Sequence, residues 1–189
     1  MHWADHTAMR LSEKYDSQVI ASGITPSGEF HIGHLREILT AEMIHRACLD
    51  AGIKSQYIFI VDSMDPLRRV YDFLSDEYEK FIGFPLANIP APNPDGTPNY
   101  EGGDYASHFL NPFLDALKQI GVNPKVVMNH ETYMSGEFAQ KIDLAIKNKE
   151  EICKVIEEIS GRELPNGWYP YNPIGSDGGK EWFEIYNGW

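Results

Sequence analysis

The chain has 189 residues, with 16 basic and 28 acidic side chains and a formal net charge of −12 with histidines neutral. That length suits one domain with a sizeable core, and no run of about 18 apolar residues offers a membrane span. The acid excess argues against an autonomous nucleic-acid-binding module, since Lys and Arg supply most such affinity, but it leaves room for a small anion in a local site.

Charges at Asp5, Arg10, Glu13 and Lys14 break up the N-terminus, so no signal-peptide core is expected and the protein is expected in the cytoplasm. The two cysteines, Cys48 and Cys153, each fall in an amphipathic helical pattern without a CxxC neighbour and read as small apolar residues. The seven histidines show no ligand spacing beyond one pair, so no protein-bound metal is expected.

Residues 3 to 15 carry Trp3, Ala4, Met9, Leu11 and Tyr15 among charges and predict a short amphipathic helix packed outside a sheet. The run Val19-Ile20-Ala21 predicts a fully buried parallel strand that closes at Ser22-Gly23. A loop with Pro26 and Gly28 follows. His31-Ile32-Gly33-His34 then opens a helical pattern through Leu35, Ile38, Leu39, Met43, Ile44 and Ala47 to Gly52. A strand, turn and helix in this order aim backbone N–H groups and a positive helix end at one point above the strand, which suits a phosphate. His31 and His34, three apart, are expected on one face of the first turn as phosphate hydrogen-bond donors. Gly33 would let a nucleotide lie against the backbone. The competing account makes the two histidines ordinary helix-terminal residues bonded to nearby backbone.

Gln56 to Asp62 is an apolar run ending in an acid and predicts a second parallel strand. Ligands of doubly wound sheets sit beyond the carboxyl ends of the strands, so Asp62 and Asp65 are candidate partners for an amino group. Asp65-Pro66 also matches a helix N-cap followed by its first residue, with Arg68 and Arg69 on a solvated helix face. From Phe84 to Gly103 the prolines and glycines predict an ordered surface loop without regular structure. Asp104 is expected to cap a helix carrying Tyr105, Phe109, Phe113, Leu117 and Ile120 to its stop at Gly121, with Pro112 kinking or splitting it. Pro124 to Met128 predicts a third strand, followed by His130, which could face the crevice but as a lone histidine after a strand reads first as structural. Residues 136 to 160 predict one continuous helix whose apolar stripe belongs to the core, ending at Gly161. The remaining stretch is aromatic, with Trp168, Tyr169, Trp182, Phe183, Tyr186 and Trp189, and Gly175 to Gly179 reads as a flexible joint. The expected division is a nucleotide-binding core over 1–172 and this joint and tail over 173–189.

His31-Ile32-Gly33-His34 resembles the HIGH motif of class I aminoacyl-tRNA synthetases and related nucleotidylyl transferases. With Gly23-Ile24-Thr25-Pro26-Ser27-Gly28 before it, and with His2-Trp3-Ala4-Asp5, Tyr105-Ala106-Ser107-His108-Phe109 and Asn166-Gly167-Trp168-Tyr169-Pro170, the string is similar to the class I lysyl-tRNA synthetases over roughly residues 1 to 172. The resemblance implies an α/β fold, a Rossmann-like (HUP-type) parallel sheet with flanking helices, incomplete relative to the full class I catalytic domain. It implies activation of lysine by ATP, with Mg possible as the ATP complex, and transfer to tRNA(Lys) through regions absent from this chain. His31 and His34 would be catalytic. Pro26, Ser27, His31, Gly33 and His34 would bind ATP, and Gly23, Thr25, Asp62 and Asp65 would bind the amino acid. No KMSKS-like string follows, and Tyr133-Met134-Ser135 lacks both lysines, so the chain alone is expected to bind ATP or adenylate weakly without charging tRNA. Two alternatives stand beside this: another HxGH nucleotidylyl transferase, and a non-catalytic nucleotide- or amino-acid-binding fragment or paralogue.

Overall fold

A computed structural model describes residues 2–171. The joint at 175–179 and the aromatic residues from Trp182 onward lie outside the described residues.

Three parallel strands form the central sheet: β1 (Ser17–Ile24), β2 (Lys54–Val61) and β5 (Lys125–Met128), in the order β1-β2-β5. β1 and β2 pair in register from Ser17 opposite Lys54 to Ile24 opposite Val61, so their carboxyl ends finish level. Helix α2 (Ile32–Asp50) connects them, and α3 (Tyr105–Gln119) precedes β5. Ile38 and Ala41 of α2 meet Leu110, Phe113 and Leu117 of α3 over Tyr57, Phe59 and Val61, so the two helices share one core with that face of the sheet. Each fully buried aliphatic or phenyl group there contributes about 1.5–3 kcal/mol. This is the expected α/β architecture, a partial Rossmann-like sheet with flanking helices.

β1 is not fully buried. It alternates, with Gln18, Ser22 and Ile24 inside and Val19 64% exposed. The physical reason is its place at the edge of the sheet, with β2 its single strand neighbour among the described residues and one face open.

Helix α1 (Trp3–Ser12) ends three residues before its predicted limit. Its Ala4 and Ala8 pack against Ala47 and Cys48, so it sits on α2 rather than on the sheet. Small side chains on both helices permit that close approach.

The segment between β2 and α3 departs most from expectation. Asp65 caps no helix: Pro66 bridges Pro85, and Leu67 exchanges backbone hydrogen bonds with Gly83 and Phe84. Arg68 and Arg69 therefore stand on no helix face; Arg68 lies 3.9 Å from Asp65, and Arg69 lies over the Tyr71 ring. A 3-10 helix (Asp76–Phe81) follows. The proline-rich stretch predicted to lack regular structure holds an antiparallel hairpin of β3 (Pro90–Pro92) and β4 (Pro98–Asp104). Proline is tolerated in so short a pair because a two-stranded ribbon leaves one side of each strand without a ladder. A second core of Leu67, Tyr78, Leu86, Ile89 and Tyr105 fixes this segment against α3.

Asp104 caps α3 as expected, accepting the Ser107 N–H at 2.8 Å, and Pro112 is absorbed without splitting the helix. After β5 come α4 (Asn129–Met134), α5 (Ala139–Lys147) and α6 (Lys149–Ser160). The single helix predicted over 136–160 is thus two, parted at Asn148 where φ is −106° and ψ 19°. Their stripe is not core: neither helix has a buried residue, and Ile159 is 83% exposed. Periodicity reports an amphipathic face; it does not say that a partner covers it.

Gly96 closes the hairpin at φ +83°, and a Cβ there would lie 2.6 Å from the Phe73 carbonyl oxygen. Left-handed backbone and a backbone clash combine, so Gly96→Ala is expected to cost about 2 kcal/mol or more and lower Tm by about 4 °C or more. Gly52, at φ +74° with nothing near its missing Cβ, is the control. Gly52→Ala should cost about 1 kcal/mol, and thermal melts showing equal losses would contradict the account of the hairpin.

Candidate functional site

The loop from Gly23 to His31 leaves β1 and enters α2, and it is braced at several points. Thr25 Oγ1 donates to Asp65 Oδ2 at 2.6 Å, and Tyr105 Oη donates to the Ser27 carbonyl at 2.7 Å. The Pro26 ring is fully buried beneath the loop, and the Ser27 N–H turns back to the Thr25 carbonyl at 2.9 Å. Thr25 therefore spends its hydroxyl proton on Asp65, while Pro26 shapes the loop from below. Burial drives the Tyr105 phenol strongly upward, so it remains a neutral donor.

His31 is the N-cap of α2 and His34 its third residue. The Gly33 N–H donates to His31 Nδ1 at 3.0 Å, and the His31 N–H donates to His34 Nδ1 at 3.0 Å, a reciprocal capping arrangement built from two imidazoles. The two rings lie 4.0 Å apart between centroids. Because each Nδ1 accepts a backbone proton, each neutral ring carries its own proton on Nε2. The capping role and the donor role foreseen for these histidines thus coexist in one geometry, with the cap selecting the donor tautomer. His34 is held below the ordinary imidazole range by partial burial first and by the neighbouring His31 second, with Glu37 opposing.

Gly33 is required by its neighbour: a Cβ there would stand 2.7 Å from His31 Cε1. The structure separates it from the histidines in outlook. His31, His34 and Ser27 line a cavity of about 610 Å³ shared with Tyr71, Phe73 and His108, whereas Gly33 lines one of about 430 Å³ beside β1 and Glu37.

At the carboxyl ends of β1 and β2 the register brings Gly23 beside Asp62. A Cβ on Gly23 would meet Asp62 Oδ2 at 3.6 Å, ordinary contact distance. Asn129, at the end of β5, donates its amide to Asp62 Oδ1 at 2.7 Å. Desolvation, then Asp65, pushes the Asp62 carboxyl up, while the Asn129 bond opposes the rise. Beside it His130 is structural, as expected: its Nδ1 and its backbone N–H both engage the buried Ser63 hydroxyl, at 2.8 and 3.1 Å. Gly23, Thr25, Asp62 and Asp65 therefore converge on one rim, with His31 and His34 at the far end of the braced loop. Sequence reasoning missed the Asn129 contact, although the rule that singled out Asp62, placement just past a parallel strand, applies equally to it. Among the described residues no three His, Cys, Asp or Glu side chains are gathered so as to hold a metal ion.

The family model for tRNA synthetases class I (K) matches residues 1–187. A lysine–tRNA ligase of Archaeoglobus fulgidus is 43% identical over 174 residues, covering 92% of this chain and 34% of that relative. Lysine–tRNA ligase 1 of Methanosarcina acetivorans is 41% identical over 180 residues, with 95% and 33% covered, and the lysine–tRNA ligase of Methanocaldococcus jannaschii is 41% identical over 184 residues, with the same coverage. The chain spans about a third of the length of these relatives. With a strand, braced loop and histidine-capped helix of the kind the motif implies, and a family match over nearly its whole length, the chain belongs to the class I (K) tRNA synthetases.

Proposed function

We propose that this chain is part of the catalytic core of a lysine–tRNA ligase that forms lysyl adenylate from lysine and ATP and passes the lysyl group to tRNA(Lys). The observation that carries this reading is the reciprocal histidine cap, which leaves two Nε2–H donors at the mouth of the larger cavity. In the activation step a lysine carboxylate oxygen attacks the α-phosphorus of ATP, the new O–P bond forms as the bond to the bridging oxygen breaks, and pyrophosphate leaves with the electron pair. No proton need move, so the demand on the protein is to position the reactants and stabilise charge on the phosphate oxygens. His31 and His34 supply part of that stabilisation, assisted by the positive end of α2. Magnesium enters with ATP and neutralises phosphate charge.

The acidic rim answers the other end of the substrate. Asp62 and Asp65 offer carboxylates to an ammonium group, and Gly23 lets the ligand lie against the strand end. Names of relatives agree with lysine as the substrate, and transfer RNA is the partner that the proposed activity requires.

Two measurements test this reading. Asparagine is a good N-cap at position 31, and at position 34 its amide oxygen can accept the His31 N–H that His34 Nδ1 now takes, so His31→Asn and His34→Asn should leave Tm within about 3 °C while weakening ATP or adenylate-analogue binding about tenfold or more each. Normal ATP binding by a destabilised double variant would make the histidines structural. Gly23→Ala brings its Cβ no closer than ordinary contact, 3.6 Å from Asp62 Oδ2. It should fold normally yet lose most affinity for a lysyl-adenylate analogue in calorimetric titration, and normal binding would place the amino acid elsewhere.

A further inference from the structure

Glu37 belongs to no motif, yet it stands one helical turn after His34 and its side chain bonds the strand end at Gly23. Gly23 donates its backbone N–H to Glu37 Oε1 at 3.0 Å, across fourteen residues of sequence. β1 is an edge strand, and this N–H points away from β2, so the bond closes the open side of the strand where the loop begins. On α2, Glu37 stands one turn after His34, on the same helix face. One carboxylate thus ties the strand end that carries Gly23 to the helix turn that carries the histidines. Without it, the loop between them would still be pinned by Thr25 and Ser27, but β1 would be tied to α2 by apolar packing and by the indirect link from the Ser22 hydroxyl through Tyr57 Oη to the Ile38 carbonyl, and the Gly23 N–H at the strand end would have no bond to α2.

We propose that Glu37 is a positioning residue for adenylate formation: by holding Gly23 against the first turns of α2 it keeps the amino-acid end and the phosphate end of the site at a fixed spacing. The inference rests on the reading of Gly23 as amino-acid-facing and of the histidines as phosphate-facing. A ligand that bridges both ends depends on that spacing; ATP or lysine alone depends on one end only. A second consequence is electrostatic. Glu37 favours the charged form of His34 against burial and His31, with Glu29 and His108 lining the same cavity. Removing its charge should therefore lower the His34 pKa further, even where the Gly23 bond is retained.

The test uses the 189-residue chain, with ATP, lysine and a non-hydrolysable lysyl-adenylate analogue as calorimetric probes, and NMR titration of the His34 ring. Glu37→Gln keeps an acceptor for Gly23 and should bind the analogue within about threefold of the parent, with a lowered His34 pKa. Glu37→Ala should lose about tenfold or more for the analogue but less than about threefold for ATP or lysine alone, with Tm within about 3 °C because the bond is exposed. Analogue binding unchanged in Glu37→Ala, or equal losses for all three probes accompanied by a fall in Tm, would overturn the inference. An unaltered His34 pKa in Glu37→Gln would overturn its electrostatic part. Failure of the parent chain to bind the analogue would instead overturn the proposed reading of Gly23 and the histidines on which the inference stands.

Discussion

A helix entered from a loop at the end of a parallel strand exposes backbone N–H groups that its own turns cannot satisfy, and the geometry of this site follows from how those groups are met. Two histidines meet them through Nδ1, one accepting from Gly33 and the other from the His31 backbone. An Asp or Ser at His31 would cap as well, but would then offer no outward donor. Imidazole has a second nitrogen on its far side. Capping therefore restrains the orientation and sets the tautomer of both rings together, in two residues that line the same cavity. Gly33 is part of the same constraint, because any side chain there would strike the His31 ring.

The remaining architecture serves to hold the two ends of that loop. The β1–β2 register sets Gly23 opposite Ile60, so that the Asp62 side chain just past β2 reaches it, and Asn129 at the end of β5 reaches across to the same carboxylate, so all three strands contribute to one rim. The β2–α3 segment closes the other side. Its own core anchors Tyr105, whose hydroxyl reaches back to Ser27, and its Tyr71 and Phe73 wall the cavity before the histidines. Three carboxylates, Glu37, Asp62 and Asp65, surround the start of the loop, and Asp62 is raised first by its burial and then by the neighbouring Asp65, with Glu37 adding a smaller push. An ammonium group entering there would relieve the repulsion among these carboxylates, as the proposed amino-acid end of the site requires.

Much of this was legible in the residues. The strand–loop–helix around His31 and His34, the caps at Asp104 and the acids past β2 all follow from local rules, and local rules hold where the chain is free to obey them. Asp65-Pro66 shows where they fail: the dipeptide is a good cap, but a bridge to Pro85 and the bond from Thr25 claim it first. The hairpin at β3 and β4 was hidden because prolines mark breaks in a long ladder and say little about a ribbon of three and seven residues. The apolar stripes of α5 and α6, and Val19 on β1, look like core in the sequence because periodicity records sidedness without recording what lies opposite. Glu37 escaped notice for a related reason. Its partner is a backbone N–H fourteen residues away, and no side-chain pattern advertises such a bond.

The account turns on the protonation and direction of two imidazoles, and long-range proton–nitrogen NMR of the histidine rings reads both. Near pH 7.5 the Nε2–H tautomer is predicted for His31 and His34 alike, with the Nε2 resonances of both shifting on addition of Mg-ATP while their Nδ1 resonances stay near the values set by the backbone bonds. A proton on Nδ1 of either ring, or Nε2 resonances indifferent to saturating Mg-ATP, would contradict the claim that the helix cap prepares these histidines for phosphate.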